Sequence, residues 1–137
     1  DTMLQKKNLP ILVLSENAED GTFLRQLTAE ALPKSDAHIV QDLSDAVEVS
    51  QQRAFQSIIV KLDTADSSAL EKIVGLRRAA PKLPIIAIGN SDDEDREKRV
   101  LTAGASDYVI EKKLDNYHLR RSLRLASERK GLEDRLA

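Results

Sequence analysis

The chain has 137 residues, enough for one domain with a core of its own. Hydrophobic residues make up 41% and charged residues 32%, the balance of an ordinary soluble globular fold. The absence of cysteine excludes a disulfide framework and thiolate chemistry, and a net charge of -2 argues against general attraction to nucleic acid.

Apolar runs alternate with longer amphipathic stretches. Residues 10–15 read as a buried first strand. Asp20 then reads as the cap of a helix with Phe23, Leu24, Leu27 and Ala31 on one face, ended by Pro33. Residues 38–40 form a short second strand, and a helix follows over 43–52 with Ser44 or Asp42 at its start. Residues 57–62 are the third strand. Ser67 or Ser68 begins a helix that buries Leu70, Ile73, Val74 and Leu76. Residues 84–89 are the fourth strand. A charged helix over 93–103 stops at Gly104, and residues 108–110 are the fifth strand. The last helix begins near Leu114 or Asp115 and runs almost to Ala137.

Five strands therefore alternate with five helices. Nearly continuous apolar strands call for a parallel sheet covered on both faces. In such sheets ligands sit at the C-terminal strand ends, near the point where strand order reverses. The residues closing strands one, three, four and five are the ones to question.

Three segments stand out there. They are Ala103-Gly104-Ala105-Ser106-Asp107-Tyr108-Val109-Ile110, then Phe55-Gln56-Ser57-Ile58-Ile59-Val60, then the run over 76–86 that leads into the fourth strand. Taken in their order along the chain and with this spacing, they make the chain resemble the receiver domain of two-component response regulators over nearly its whole length. The resemblance implies a flavodoxin-like (βα)5 fold, a doubly wound five-stranded parallel sheet in strand order 2-1-3-4-5.

The resemblance also implies a site. In this family an aspartate ending strand three accepts a phosphoryl group from a partner histidine. An acidic pair after strand one holds Mg²⁺. A Ser or Thr ending strand four and a lysine ending strand five contact the phosphoryl oxygens. The matching positions here are Ser15 and Glu16, Lys61, Gly89 and Glu111, with Lys112 where a proline usually follows. One carboxylate of the pair remains, and the acceptor is an ammonium. The hydroxyl is missing, and the lysine has become a carboxylate. These changes reverse the charge logic of the site, so no catalytic residue, metal or cofactor is expected. Lys61 is expected to pair with Glu16, its ammonium sitting where a metal would. Asp63, two residues on and on the same side of an extended chain, is the alternative phosphoacceptor.

Tyr108 matches the aromatic that changes rotamer on phosphorylation in the family. Gly89 leaves room for an inward ring held in one state, and an ordinary half-buried edge-strand tyrosine is the other reading. His38 and His118 lack ligand-spaced partners and read as surface or structural residues. Asp92, Asp93, Glu94 and Asp95 suit a helix N-terminus. The basic run over 118–130 has no interleaved aromatics and reads as a solvated face rather than a nucleic-acid surface.

By resemblance, function then falls to the surface of helix four, strand five and helix five. Arg96, Arg99, Asn116, Arg120 and Arg124, with Lys98 and His118, would meet a protein partner or a second copy. Residues 1–128 are expected to form the receiver-like domain. Residues 129–137 would extend the last helix toward a linker or an attached output domain, one acting in cyclic-dinucleotide signalling among the candidates. From Leu114 to Leu136 that helix would span about 34 Å, with Leu125, Leu132 and Leu136 as a short apolar seam. The starting Asp1 suggests a fragment, read as the N-terminal module of a longer signalling protein. No apolar run approaches the roughly 20 residues of a membrane span, and no signal peptide is recognisable. A cytoplasmic module is expected.

Overall fold

Short runs of β-branched and leucine side chains become strands because nearly every position of the three central strands is buried, from either face of one sheet. The computed structural model describes residues 9–63, 68–90 and 92–136. The strands are β1 (Ile11–Leu14), β2 (Ala37–Val40), β3 (Ser57–Lys61), β4 (Ile85–Gly89) and β5 (Asp107–Ile110). The helices are α1 (Ala18–Ala31), α2 (Leu43–Gln52), α3 (Ala69–Ala79), α4 (Glu94–Ala103) and α5 (Asn116–Leu136), the last preceded by a 3₁₀ turn at Glu111–Lys113. All strand pairs are parallel, as the apolar pattern required, in the order β2-β1-β3-β4-β5 that the resemblance implied.

Strand alternation sends side chains into two cores. Leu12, Leu14, Ile58, Val60, Ile85 and Ala87 pack with Ala46, Ile73, Leu76 and Val100, so α2, α3 and α4 cover that face. Ile11, Val13, Ile59, Ile86 and Ile88 pack with Leu24, Leu27, Leu119, Leu123 and Ala126, so α1 and α5 cover the other. Register brings Leu14 beside Val60, Lys61 beside Ile88 and Gly89 beside Ile110. The C-terminal ends of four strands thus share one edge.

Several local expectations change. Asn17, not Asp20, caps α1; its side chain accepts the backbone N–H groups of Glu19 at 2.7 Å and Asp20 at 3.2 Å. A cap must lie just before the first helical residue, and the helix begins one turn earlier than the apolar pattern suggested. Phe23 is 50% exposed rather than part of the buried stripe. In α3 the buried positions are Ala69, Lys72, Ile73 and Leu76, while Leu70 and Val74 are half-buried. Asp42 caps α2, accepting from the Asp45 N–H at 2.8 Å. Ser67 lies outside the described residues. α5 starts at Asn116 because Asp115 caps it, accepting the His118 N–H at 2.7 Å. Gly104 ends α4 at φ 131°, a backbone angle that side chains disfavour.

Candidate functional site

The strand ends enclose a cavity of about 260 Å³ lined by Ser15, Glu16, Asn17, Asp20, Lys61, Asp63, Lys72, Asn90 and Glu111. Every lining side chain is polar. Four are carboxylates and two are ammonium groups, which leaves two negative charges in excess.

Lys61 ends β3 with the parity of Ile59, so it leans to the α1 and α5 side of the sheet. Its side chain is only 11% exposed. The ammonium lies 3.5 Å from a Glu111 carboxylate oxygen and 3.9 Å from one of Asp20, and it donates to the Leu62 carbonyl at 3.3 Å. The expected pair of Lys61 with Glu16 is therefore not formed. Glu16 is held instead by Lys72, at 2.5 Å. Lys72 comes from the first turn of α3, on the opposite side of the sheet from α1, and its side chain is 7% exposed. Geometry explains the difference. Lys61 follows the strand toward α1, whereas Glu16 leaves β1 where the α3 side chain can cross to it.

Ser15 lines the cavity but is buried, and its hydroxyl donates to the Asn17 carbonyl at 3.0 Å. Asp63 is exposed in the loop after β3, and its carbonyl accepts from the Arg96 guanidinium at 3.2 Å. Gly89 closes β4 with no side chain, and the Tyr108 ring occupies the space. A β-carbon built on Gly89 would lie 2.8 Å from Cε2 and 2.9 Å from Cζ of Tyr108. The ring is 93% buried within the α2–α4 core, at 7% exposure.

The sequence reading missed Asp20 as a cavity residue and missed Lys72 altogether. Lys72 carried a signal, since Ala69, Lys72, Ile73 and Leu76 follow the i, i+3, i+4, i+7 spacing of a buried helix stripe. Asp20 stands three residues after Asn17, the spacing between a cap and its third helical residue.

The remaining candidates scatter over the surface. Arg99, Asn116, Arg120 and Arg124 are exposed, and Arg96 is half-buried. The acidic run before α4 is partly spent on structure, Asp93 capping the helix by accepting from the Asp95 N–H at 2.9 Å and Asp92 lying 3.8 Å from Lys112. His38 Nδ1 lies 3.0 Å from the Arg53 guanidinium, and His118 Nδ1 lies 2.7 Å from Asp115. That second contact, together with the His118 backbone N–H as the larger cause, holds the Asp115 carboxyl below its ordinary range. Leu132 and Leu136 are exposed near the end of α5, while Leu125 is half-buried. No described helix is long and apolar enough to cross a membrane.

The profile of the response regulator receiver domain matches residues 17–124 of this chain. The chain belongs to the response regulator receiver domain family. Solved receiver folds agree in architecture. A protein described as pilus assembly-related from Burkholderia pseudomallei K96243 superposes with a TM-score of 0.76 at 20% identity, covering 90% of this chain and 92% of that one. The signal receiver domain of an HD domain-containing protein from Pseudomonas fluorescens Pf-5 gives 0.75 at 19% identity, covering 93% of each chain. A response regulator receiver domain from Clostridium thermocellum gives 0.75 at 14% identity, covering 90% and 98%. No curated protein matches the sequence.

Receiver domains of this family imply a bound Mg²⁺, and the residues of this receiver do not fit one. Glu16 is engaged by Lys72, and Asp20 and Glu111 face Lys61. Among the described residues no three carboxylate or imidazole groups converge as a metal site. A hard divalent ion needs several free oxygen ligands, and here two ammonium groups stand among the oxygens.

Proposed function

We propose that this receiver domain is a non-catalytic signalling module that acts through protein contacts, independently of phosphorylation, and regulates an attached output domain. The observation that carries the reading is the Lys61 ammonium at the end of β3, half-buried in the strand-end cavity and facing Glu111 and Asp20. A carboxylate there could attack a phosphoryl donor, and an ammonium cannot. Its charge would also oppose a divalent ion a few ångströms away. Glu111 sets a negative charge where an incoming phosphoryl group would need a positive one.

Two further features support it. The inward Tyr108 ring fills the space above Gly89, which favours a single state of the β4–β5 edge without any signal. Arg99, Asn116, Arg120 and Arg124 are solvent-exposed on α4 and α5, available to a partner or a second copy. Rim charges of this kind set register and specificity more than affinity. The unbroken α5, with Leu132 and Leu136 exposed, suits transmission toward a further domain, and a cyclic-dinucleotide enzyme is one output of that kind. One solved relative is itself the receiver domain of an HD domain-containing protein.

The test is incubation with acetyl phosphate and Mg²⁺, followed by intact-mass and peptide analysis. The expected result is no phosphoryl adduct and no response to beryllofluoride. An acyl phosphate on Asp63 would replace this reading with that of an atypical phosphoacceptor.

A further inference from the structure

Lysine is a poor choice for the first turn of a helix, where the positive end of the macrodipole opposes a cation. It is also a poor choice for a buried stripe, where an ammonium must be paired. Lys72 occupies both positions. It is tied to Glu16 at 2.5 Å, with its side chain 7% exposed. Packing alone would favour an apolar residue beside Ile73 and Leu76, so the ion pair needs another account.

The geometry points to Lys72 as the tethered counter-cation of the strand-end cavity. With Lys61 it takes by covalent attachment the seat of a free divalent ion, and it fastens α3 to the loop between β1 and α1. This rests on the phosphorylation-independent reading above and extends it to a residue that the resemblance did not assign to the site. Lys61 stands between the α1 and 3₁₀-turn carboxylates, Asp20 and Glu111, and offsets one of their two charges. Lys72 neutralises Glu16 from the other side of the sheet. A tethered ammonium holds its carboxylate at an effective concentration of millimolar or more without depending on free metal. The counter-charges of the cavity are therefore supplied by the chain itself, whatever the Mg²⁺ level.

Two measurements test this. The first is Mn²⁺ binding, read by the electron paramagnetic resonance signal of free Mn²⁺, on the wild-type chain and on Lys61→Met, Lys72→Met and the double variant. Binding should tighten by at least about tenfold in the double variant, because two like charges leave the cavity. Equal Mn²⁺ affinity in wild type and double variant overturns the proposal. The second uses the wild-type fold and Glu16→Gln. The Lys72 ammonium resonance in a ¹H–¹⁵N spectrum should exchange slowly in wild type and rapidly in Glu16→Gln. Exchange at the rate of surface lysines in the wild type overturns the proposal even if the methionine variants do not fold. Acetyl-phosphate labelling reads the other question, so an acyl phosphate would overturn the proposed function while these two readouts still report on Lys72.

Discussion

Gly89→Ala is the sharpest single perturbation of this domain. The added methyl would lie under 3 Å from Cε2 and Cζ of Tyr108, so the ring must move. The ring end of a tyrosine can swing outward about its first side-chain torsion, and the cost is lost burial. An aromatic side chain buries roughly 200 Å². If outward rotation re-exposes about half of that, at about 25 cal/mol per Å², the loss is near 2.5 kcal/mol. Tyr108→Ala alone should cost about 3 kcal/mol by emptying the same space. The two effects share one cause. In the double variant the alanine methyl meets no ring, so the costs should fall short of their sum by more than 1 kcal/mol, a coupling typical of residues in contact. Urea unfolding of the four proteins, followed by circular dichroism, measures the cycle. Additive losses, or a Gly89→Ala chain as stable as the wild type, would show that the ring is not seated above Gly89. The β4–β5 edge would then not be held in a single state by that ring.

Three further outcomes are expected. Gly104→Ala should lose about 1–2 kcal/mol in the same urea assay, because φ 131° disfavours a side chain and the new methyl would meet Arg77 Cβ and Cγ at 3.0 Å. Arg77→Ala should cost about 2 kcal/mol, since its guanidinium donates to the Gly104 carbonyl at 2.8 and 3.0 Å and to the Leu83 carbonyl at 2.7 Å, and these acceptors would lose their partner. The third concerns pH. The Asp115 carboxyl titrates below its ordinary range, chiefly because it accepts the His118 backbone N–H and then because of the His118 ring. A depressed carboxyl stabilises the fold fully above its unfolded value, and that contribution is lost as pH falls through the folded one. Amide exchange at the start of α5 should therefore accelerate only in acid, and Asp115→Asn should remove that dependence.

The sequence alone was enough for the architecture. Apolar runs such as 57–62 and 84–89 are too short for helices and too apolar for surface strands, so a parallel sheet covered on both faces follows from burial. Gly104 announced the end of α4, because few residues adopt its backbone angle. The reversed charges at Lys61 and Glu111 were also legible, since they depend only on which residue stands at each strand end. What the sequence left undecided was which charge meets which. Lys61 and Glu16 stand at neighbouring strand ends with opposite charges, yet side-chain parity turns Lys61 toward Asp20 and Glu111 and leaves Glu16 to Lys72. Lys72 lies in another helix on the other side of the sheet, 56 positions further along the chain than Glu16. Ion pairing falls off over a few ångströms, and only the folded sheet sets distances on that scale between residues so far apart in sequence.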